Sequence, residues 1–252
     1  MLVIMLGGKA RVGKTTLAKL ISKYAYEKGL SPMIMPFAAV LKEEIEATTG
    51  MTKESNPEEY RKACQVLGSK NRKKDPDYWL NLFAKKIEEQ RTIDIEKLEA
   101  NRFGWHEKLI IVDDCRYLNE VGYGRKINAL QIFVSHGKRI LEDDKASWRK
   151  HESESLANSI ESNDKNCQEI FHYRTYNDST IEKFLAKALI LLPEWTEFAK
   201  DTKHEGLICS CSSCTARRAG TLLTDSSLAK LIKDIETLKK DWIEEDIDDG
   251  TD

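Results

Sequence analysis

Leu2-Val3-Ile4-Met5-Leu6, an apolar run, leads at once into Gly8-Lys9-Ala10-Arg11-Val12-Gly13-Lys14-Thr15. The second stretch fits G-x-x-x-x-G-K-[ST], the pattern of a phosphate-binding loop set between a strand and a helix. The residue types suit that chemistry. Gly8 and Gly13 permit backbone angles that a Cβ would obstruct, so successive N–H groups can turn toward phosphate oxygens. The helix that follows adds its positive end. Lys14 is placed to neutralise β- and γ-phosphates, and the Thr15 hydroxyl to hold Mg²⁺. Arg11 and Thr16 complete the expected nucleotide-binding set of Gly8, Arg11, Gly13, Lys14, Thr15 and Thr16.

Outward from this loop, strand-like and helix-like segments alternate. Leu17, Leu20, Ile21 and Tyr24 share one helical face, with Gly29 placed to end it. Pro32 to Phe37 reads as a short buried strand, and Val40, Leu41 and Ile45 as a helix closing at Gly50. Asn56-Pro57-Glu58-Glu59 has the marks of a helix start: a capping side chain, proline in the first turn, and acids at the positive end. Tyr60, Ala63, Cys64 and Leu67 form its stripe. The basic run Ser69-Lys70-Asn71-Arg72-Lys73-Lys74 is expected between that helix and the next, which starts at Asp75-Pro76-Asp77 and turns Trp79, Leu82, Phe83 and Ile87 inward. Thr92 to Lys108 is polar without a clear period, as in a surface insertion. Leu109 to Val112 is the continuous apolar run of a central parallel strand. Leu130 to Val134 and Glu169 to Tyr173 are expected as fourth and fifth strands, and Ser179 to Leu192 as a helix. The expected fold is α/β, a doubly wound five-stranded parallel sheet over residues 1–192 with a small Cys-rich and helical appendage over 193–252. Ligands should gather at the carboxyl ends of the strands, where the loop and Asp113-Asp114 both fall.

Composition narrows the partners. Lys plus Arg number 40 against 42 Asp plus Glu, a net charge of −2, so general attraction to nucleic acid or membrane is not expected. No apolar run reaches the ~20 residues that span a bilayer. The N-terminal run reads as a buried strand rather than a signal peptide, which makes the cytoplasm the expected location, a host's if the chain is viral. Oligomeric state is left open, a homodimer included. Of six cysteines, Cys64, Cys115 and Cys167 are scattered and three cluster late. His204 with Cys209, Cys211 and Cys214 could form a Cys₃His set for structural zinc, although the spacing is not that of a standard finger. A reduced, exposed thiol loop is the other reading.

Asp113 and Asp114 close a buried strand where phosphate-loop enzymes set a carboxylate near Mg²⁺, and Arg116 projects over the same edge with a fork suited to phosphate. Arg139, Arg149 and Lys150 lie in a polar segment of the kind that closes over a transferring group.

Several stretches in order are similar to the bacteriophage deoxynucleoside monophosphate kinases, within the wider nucleoside monophosphate kinase group. They are GGKARVGKTT, PFAAVLKEEIEATTG, QVLGSKNRKKDPDYWLNLFAKKI, VDDCRYLNEV, HESES and YNDSTIEKFLAKAL, covering about residues 1–192. The resemblance implies ATP and Mg²⁺ as cofactors and a deoxynucleoside monophosphate as acceptor. It implies Arg72 and Arg116, with Lys42, at the acceptor, Asp114 at the magnesium or orienting the acceptor, and Asp113 beside it. Arg139 and Arg149 become lid arginines, and His151 and Glu154 polar residues of the second site. The chain departs from the family pattern in three places: Asp113 is an extra carboxylate, Cys115 replaces valine, and Ser179 replaces glycine. Two other functions remain open at this point. One is a kinase of the same fold acting on a hydroxyl of a modified base in phage DNA, which would want a general base such as Asp113 or Asp114. The other is a nucleotide-binding regulator or scaffold with little turnover.

Overall fold

The computed structural model describes residues 1–52, 54–99, 107–136, 152–162, 169–178 and 180–189. Five strands form one all-parallel sheet: β1 (Leu2–Gly7), β2 (Ser31–Ile34), β3 (Lys108–Cys115), β4 (Leu130–Ser135) and β5 (Tyr173–Tyr176), in the order β2-β3-β1-β4-β5. Helices are α1 (Lys14–Glu27), α2 (Ala39–Thr49), α3 (Pro57–Lys74), α4 (Tyr78–Glu99), α5 (Leu118–Lys126), α6 (Ser155–Ser162) and α7 (Ile181–Leu189). The α/β architecture agrees with expectation. Both faces of the sheet are covered, which is why residues 2–6 of β1 and 109–112 of β3 are unbroken apolar runs and 130–134 of β4 is apolar but for the buried Gln131. Leu2, Ile4, Leu6, Leu109, Ile111, Ile132 and Val134 pack against Leu17 and Ile21 of α1 and Phe184 and Leu185 of α7. Val3, Met5, Ile110, Val112 and Phe133 pack against Phe83 and Ile87 of α4, Val121 of α5 and Ile160 of α6. A smaller cluster of Leu41, Ile45, Tyr60 and Trp79 binds α2, α3 and the start of α4. It is tied by Trp79 Nε1 donating to the Gly68 carbonyl at 3.1 Å and Tyr60 Oη to Glu46 at 2.8 Å. Among the described residues, no helix is long and apolar enough to cross a membrane.

Several local expectations are corrected. β2 is four residues long, ends at Ile34, and alternates exposed with half-buried positions because it lies at the sheet edge beside β3. The basic run Lys70–Lys74 is not a linker but the end of α3, where its charges face the negative helix terminus. Asn56 makes no side-chain capping bond there, although Pro57, Glu58 and Glu59 occupy the first turn. Thr92 to Glu99 continues α4 rather than forming an irregular insertion; Asp94 is buried and pairs with the N-terminal amine of Met1 at 3.4 Å. The fifth strand is Tyr173–Tyr176, downstream of the expected run, since Phe171 packs under Gly7 and beside Phe133 as a loop residue. The expected zinc set His204, Cys209, Cys211 and Cys214, and all of 193–252, lie outside the described residues.

Candidate functional site

The carboxyl ends of β1, β3 and β4 meet at the glycine-rich turn. Between β1 and α1 the chain takes positive φ at Gly8 (133°), Arg11 (63°) and Gly13 (94°). Gly8 passes so close under β4 that a Cβ there would stand 2.2 Å from the Val134 carbonyl oxygen. Gly13 is the N-cap of α1 and brings no capping side chain, so the first N–H groups of the helix face the turn. The Gly13 carbonyl accepts the Leu17 N–H at 2.9 Å, which starts the helix. Arg11, Thr15 and Thr16 are exposed.

Lys14 is buried, and its Nζ donates to the carbonyls of Gly8 at 2.9 Å and Lys9 at 2.6 Å. Burial first and then the Arg116 charge lower its pKa from 10.5 to about 7, against the pull of Glu154, Asp113 and Asp114. The two aspartates are used differently. Thr15 Oγ1 donates to Asp113 Oδ2 at 2.6 Å. Asp114 instead accepts the N–H of Phe37 at 2.7 Å and of Ala38 at 3.0 Å, one on each oxygen, and so anchors the entry to α2 from β3. The carboxylate expected at the magnesium is therefore the one occupied by backbone, and its neighbour meets the threonine.

Arg116 pairs with Glu154, a buried carboxylate whose other oxygen accepts the Ala10 N–H in the turn at 3.0 Å. These contacts bring the start of α6, the end of β3 and the glycine turn together. Arg72, in the last turn of α3, donates to Glu120 Oε1 at 3.2 Å, with its guanidinium carbon 3.8 Å from the centroid of the Tyr117 ring. Glu120 Oε2 accepts the N–H of Arg116 at 2.7 Å and of Tyr117 at 3.1 Å. Burial pushes the Glu120 carboxyl up to about 7, against the bond from Arg116. Ser69 Oγ donates to Glu152 at 2.8 Å across the same gap between α3 and the chain ahead of α6. Lys42 sits on α2, where its charge bears on Cys64 of α3. Arg139, Arg149 and His151 lie outside the described residues.

Three residues of the site went unassigned in the sequence. His136, just past β4, has Nε2 3.1 Å from the Arg11 carbonyl and Nδ1 3.3 Å from the Asn177 carbonyl. Asn177 Nδ2 donates to the Val12 carbonyl at 3.1 Å, so the ends of β4 and β5 both brace the turn. A single histidine after an apolar run gives no signal of this. Glu120 stands in a motif quoted for the resemblance, but nothing in its spacing points to Arg72, 48 positions away.

No protein-family model matches the chain, and no curated protein matches it.

Proposed function

We propose that this protein transfers a phosphoryl group from a magnesium-bound nucleoside triphosphate to a deoxynucleoside monophosphate, as do the phage kinases it resembles. One observation carries the reading: the Thr15 hydroxyl meets Asp113 of the neighbouring strand at 2.6 Å, directly after a glycine turn that holds a buried lysine. A hydroxyl and a carboxylate so joined are the usual protein share of a magnesium site beside a triphosphate. The turn suits a phosphate chain, since Gly8 and Gly13 take the positive φ that turns N–H groups inward and the first α1 N–H groups carry no side-chain cap. Among the described residues no three His, Cys, Asp or Glu side chains gather into a metal-binding group. Magnesium is commonly held by one or two carboxylates together with the ligand's own phosphates, and Asp113 with Thr15 would supply the protein's part. When bound, the ion would neutralise charge on the β- and γ-phosphates.

The chain's own residues would then do the following. Backbone N–H groups of the turn and Lys14 hold the triphosphate, and Lys14 exchanges the carbonyls of Gly8 and Lys9 for phosphate oxygens. Arg72 and Arg116 hold the acceptor's phosphate in line with the donor, with Glu154 orienting Arg116. Arg139 and Arg149 are the candidates for closing over the reacting groups and excluding water, and His151 is a candidate polar residue of the acceptor site. Positioning and charge stabilisation are most of what such a reaction asks of a protein.

An acceptor phosphate oxygen is already ionised near pH 7 and needs no general base. A hydroxyl acceptor would need one. The extra aspartate was the feature favouring that chemistry, but each oxygen of Asp114 already accepts a backbone N–H and Asp113 is engaged by Thr15. The contacts thus favour the monophosphate. The test is ADP release with free deoxynucleoside monophosphates, then with single-stranded and duplex DNA carrying modified bases, then with no acceptor. Turnover with free monophosphates supports the proposal. Turnover with DNA alone moves the reading to the hydroxyl acceptor, and none with any acceptor moves it to a nucleotide-binding regulator. Zinc in the C-terminal appendage is a separate proposal, tested by metal analysis of protein purified without added zinc.

A further inference from the structure

Resting on the acceptor site proposed above, we infer that Glu120 is a positioning residue that fixes the Arg72 guanidinium where the acceptor's phosphate must bind. Glu120 is buried, with a relative exposure of 3%. A buried carboxylate is costly unless it is fully hydrogen-bonded. Its Oε2 is held by the N–H groups of Arg116 and Tyr117, at 2.7 and 3.1 Å, in the manner of the acid of a capping box at the start of α5. Capping explains that oxygen and no more. Oε1 turns away to Arg72 on α3, 3.2 Å distant. The carboxylate is thus a point fixed by backbone, from which one edge of a guanidinium is held.

The Tyr117 ring supplies the second constraint. The Arg72 guanidinium carbon lies 3.8 Å from its centroid, so the plane is held at its face as well as at its edge. A guanidinium has five N–H donors, and the bond to Glu120 uses one of them, which leaves a fork for phosphate. A free arginine near a helix end would sample many rotamers and would have to be ordered when the acceptor binds. Holding it beforehand lowers that cost without touching the acceptor. Glu120 therefore acts through Arg72, and it should influence acceptor binding more than the chemical step.

Steady-state kinetics on the full chain test this with Glu120→Gln, Arg72→Ala and the double variant. Glu120→Gln keeps the shape but loses the charge. It should raise the acceptor KM about tenfold, the scale of one unordered long side chain, with kcat and the KM for magnesium-bound ATP within about threefold. In the Arg72→Ala background the same substitution should change the acceptor KM by less than about twofold, because its route of action is gone. If Glu120→Gln does not fold, Glu120→Asp carries the test: it keeps the charge, withdraws it by one methylene, and should raise the acceptor KM in the same direction. An acceptor KM that does not move, or one that moves equally in the Arg72→Ala background, overturns the inference while the proposed function stands. A wild-type protein that phosphorylates no monophosphate overturns the proposed function, and this role with it.

Discussion

Replacing Gly8 with alanine adds one methyl group, yet it should harm this protein far more than the same change at Gly50. Both glycines take positive φ, 133° and 67°. Gly50 ends α2, its N–H bonded to the Glu46 carbonyl at 3.0 Å, and among the described residues nothing lies within 4 Å of where a Cβ would stand. Its cost is conformational, about 1 kcal/mol. At Gly8 the Cβ would stand 2.2 Å from the Val134 carbonyl oxygen and 3.3 Å from Val12 Cγ2. Val134 belongs to an inner strand paired on both sides, so the oxygen cannot swing away like the tip of a flexible side chain. Adding ~1–3 kcal/mol of backbone strain to ~1–3 kcal/mol of overpacking gives about 2–6 kcal/mol. For a domain of this size that is a fall in Tm of about 5–20 °C, against about 2–4 °C for Gly50→Ala. Thermal and urea unfolding followed by circular dichroism give the stability, and calorimetry with magnesium-bound ATP gives uptake. Gly50→Ala should retain uptake and Gly8→Ala should lose it. Equal losses of stability would refute the close approach to β4, and a Gly8→Ala protein that still takes up the triphosphate would refute the role given to the turn.

Lys14→Ala should slow ADP release by roughly 10²–10³, as does loss of a single transition-state donor elsewhere; near-normal turnover would remove Lys14 from the mechanism. Lys14 also gives a pH signature. Its folded pKa is about 7 against an ordinary 10.5, so between those values the unfolded chain holds a proton that the folded one lacks. Stability should rise with pH across that window, by at most about 1.4 kcal/mol per unit, and Lys14→Met should lack this component. In urea titrations the wild type should therefore gain on Lys14→Met from pH 7 to 9; a flat or falling difference contradicts the burial argument. Asp113→Asn should raise the magnesium needed for half-maximal activity with little loss of stability. Asp114→Asn should do the reverse, lowering stability by about 1–3 kcal/mol as a charged acceptor of two backbone N–H groups is lost. Magnesium titrations and urea unfolding of both variants separate the two.

Apolar runs made the inner strands legible, because β1, β3 and β4 are covered on both faces. The same criterion failed at the edges. β2 needs only one covered side, and at β5 the apolar Ile170-Phe171 pair belongs to the approach, with Phe171 filling the space beneath Gly7. It failed along α4 for another reason: an inward position of its polar half is Asp94, neutralised by the amine of Met1, and periodicity counts only apolar residues. In the site, the turn was legible because its residues are consecutive. Arg72 with Glu120 and Arg116 with Glu154 are joined only by folding, across 48 and 38 positions.

The division of labour between Asp113 and Asp114 has a cause in the strand itself. Along β3, Leu109 and Ile111 face α1, while Ile110 and Val112 face α4 and α5. Alternation carries Asp113 to the side of α1, where Thr15 stands, and Asp114 to the side of Phe37. Continued one step further, it would send Cys115 back toward α1. Cys115 instead packs with Phe37 and Val121, on the same side as Asp114. The pairing with β1 shows how: Met5 lies opposite Val112, but Gly7 lies opposite Cys115, so two residues of β1 span three of β3. The two aspartates sit in that irregularity, facing Leu6 alone. An extra residue in a strand does not have to shift everything after it, since a bulge absorbs it and re-aims the side chains on either side. The irregularity thus re-aims two adjacent carboxylates where strand and glycine turn meet, leaving one aspartate for the hydroxyl of Thr15 and its neighbour to hold the entry of α2.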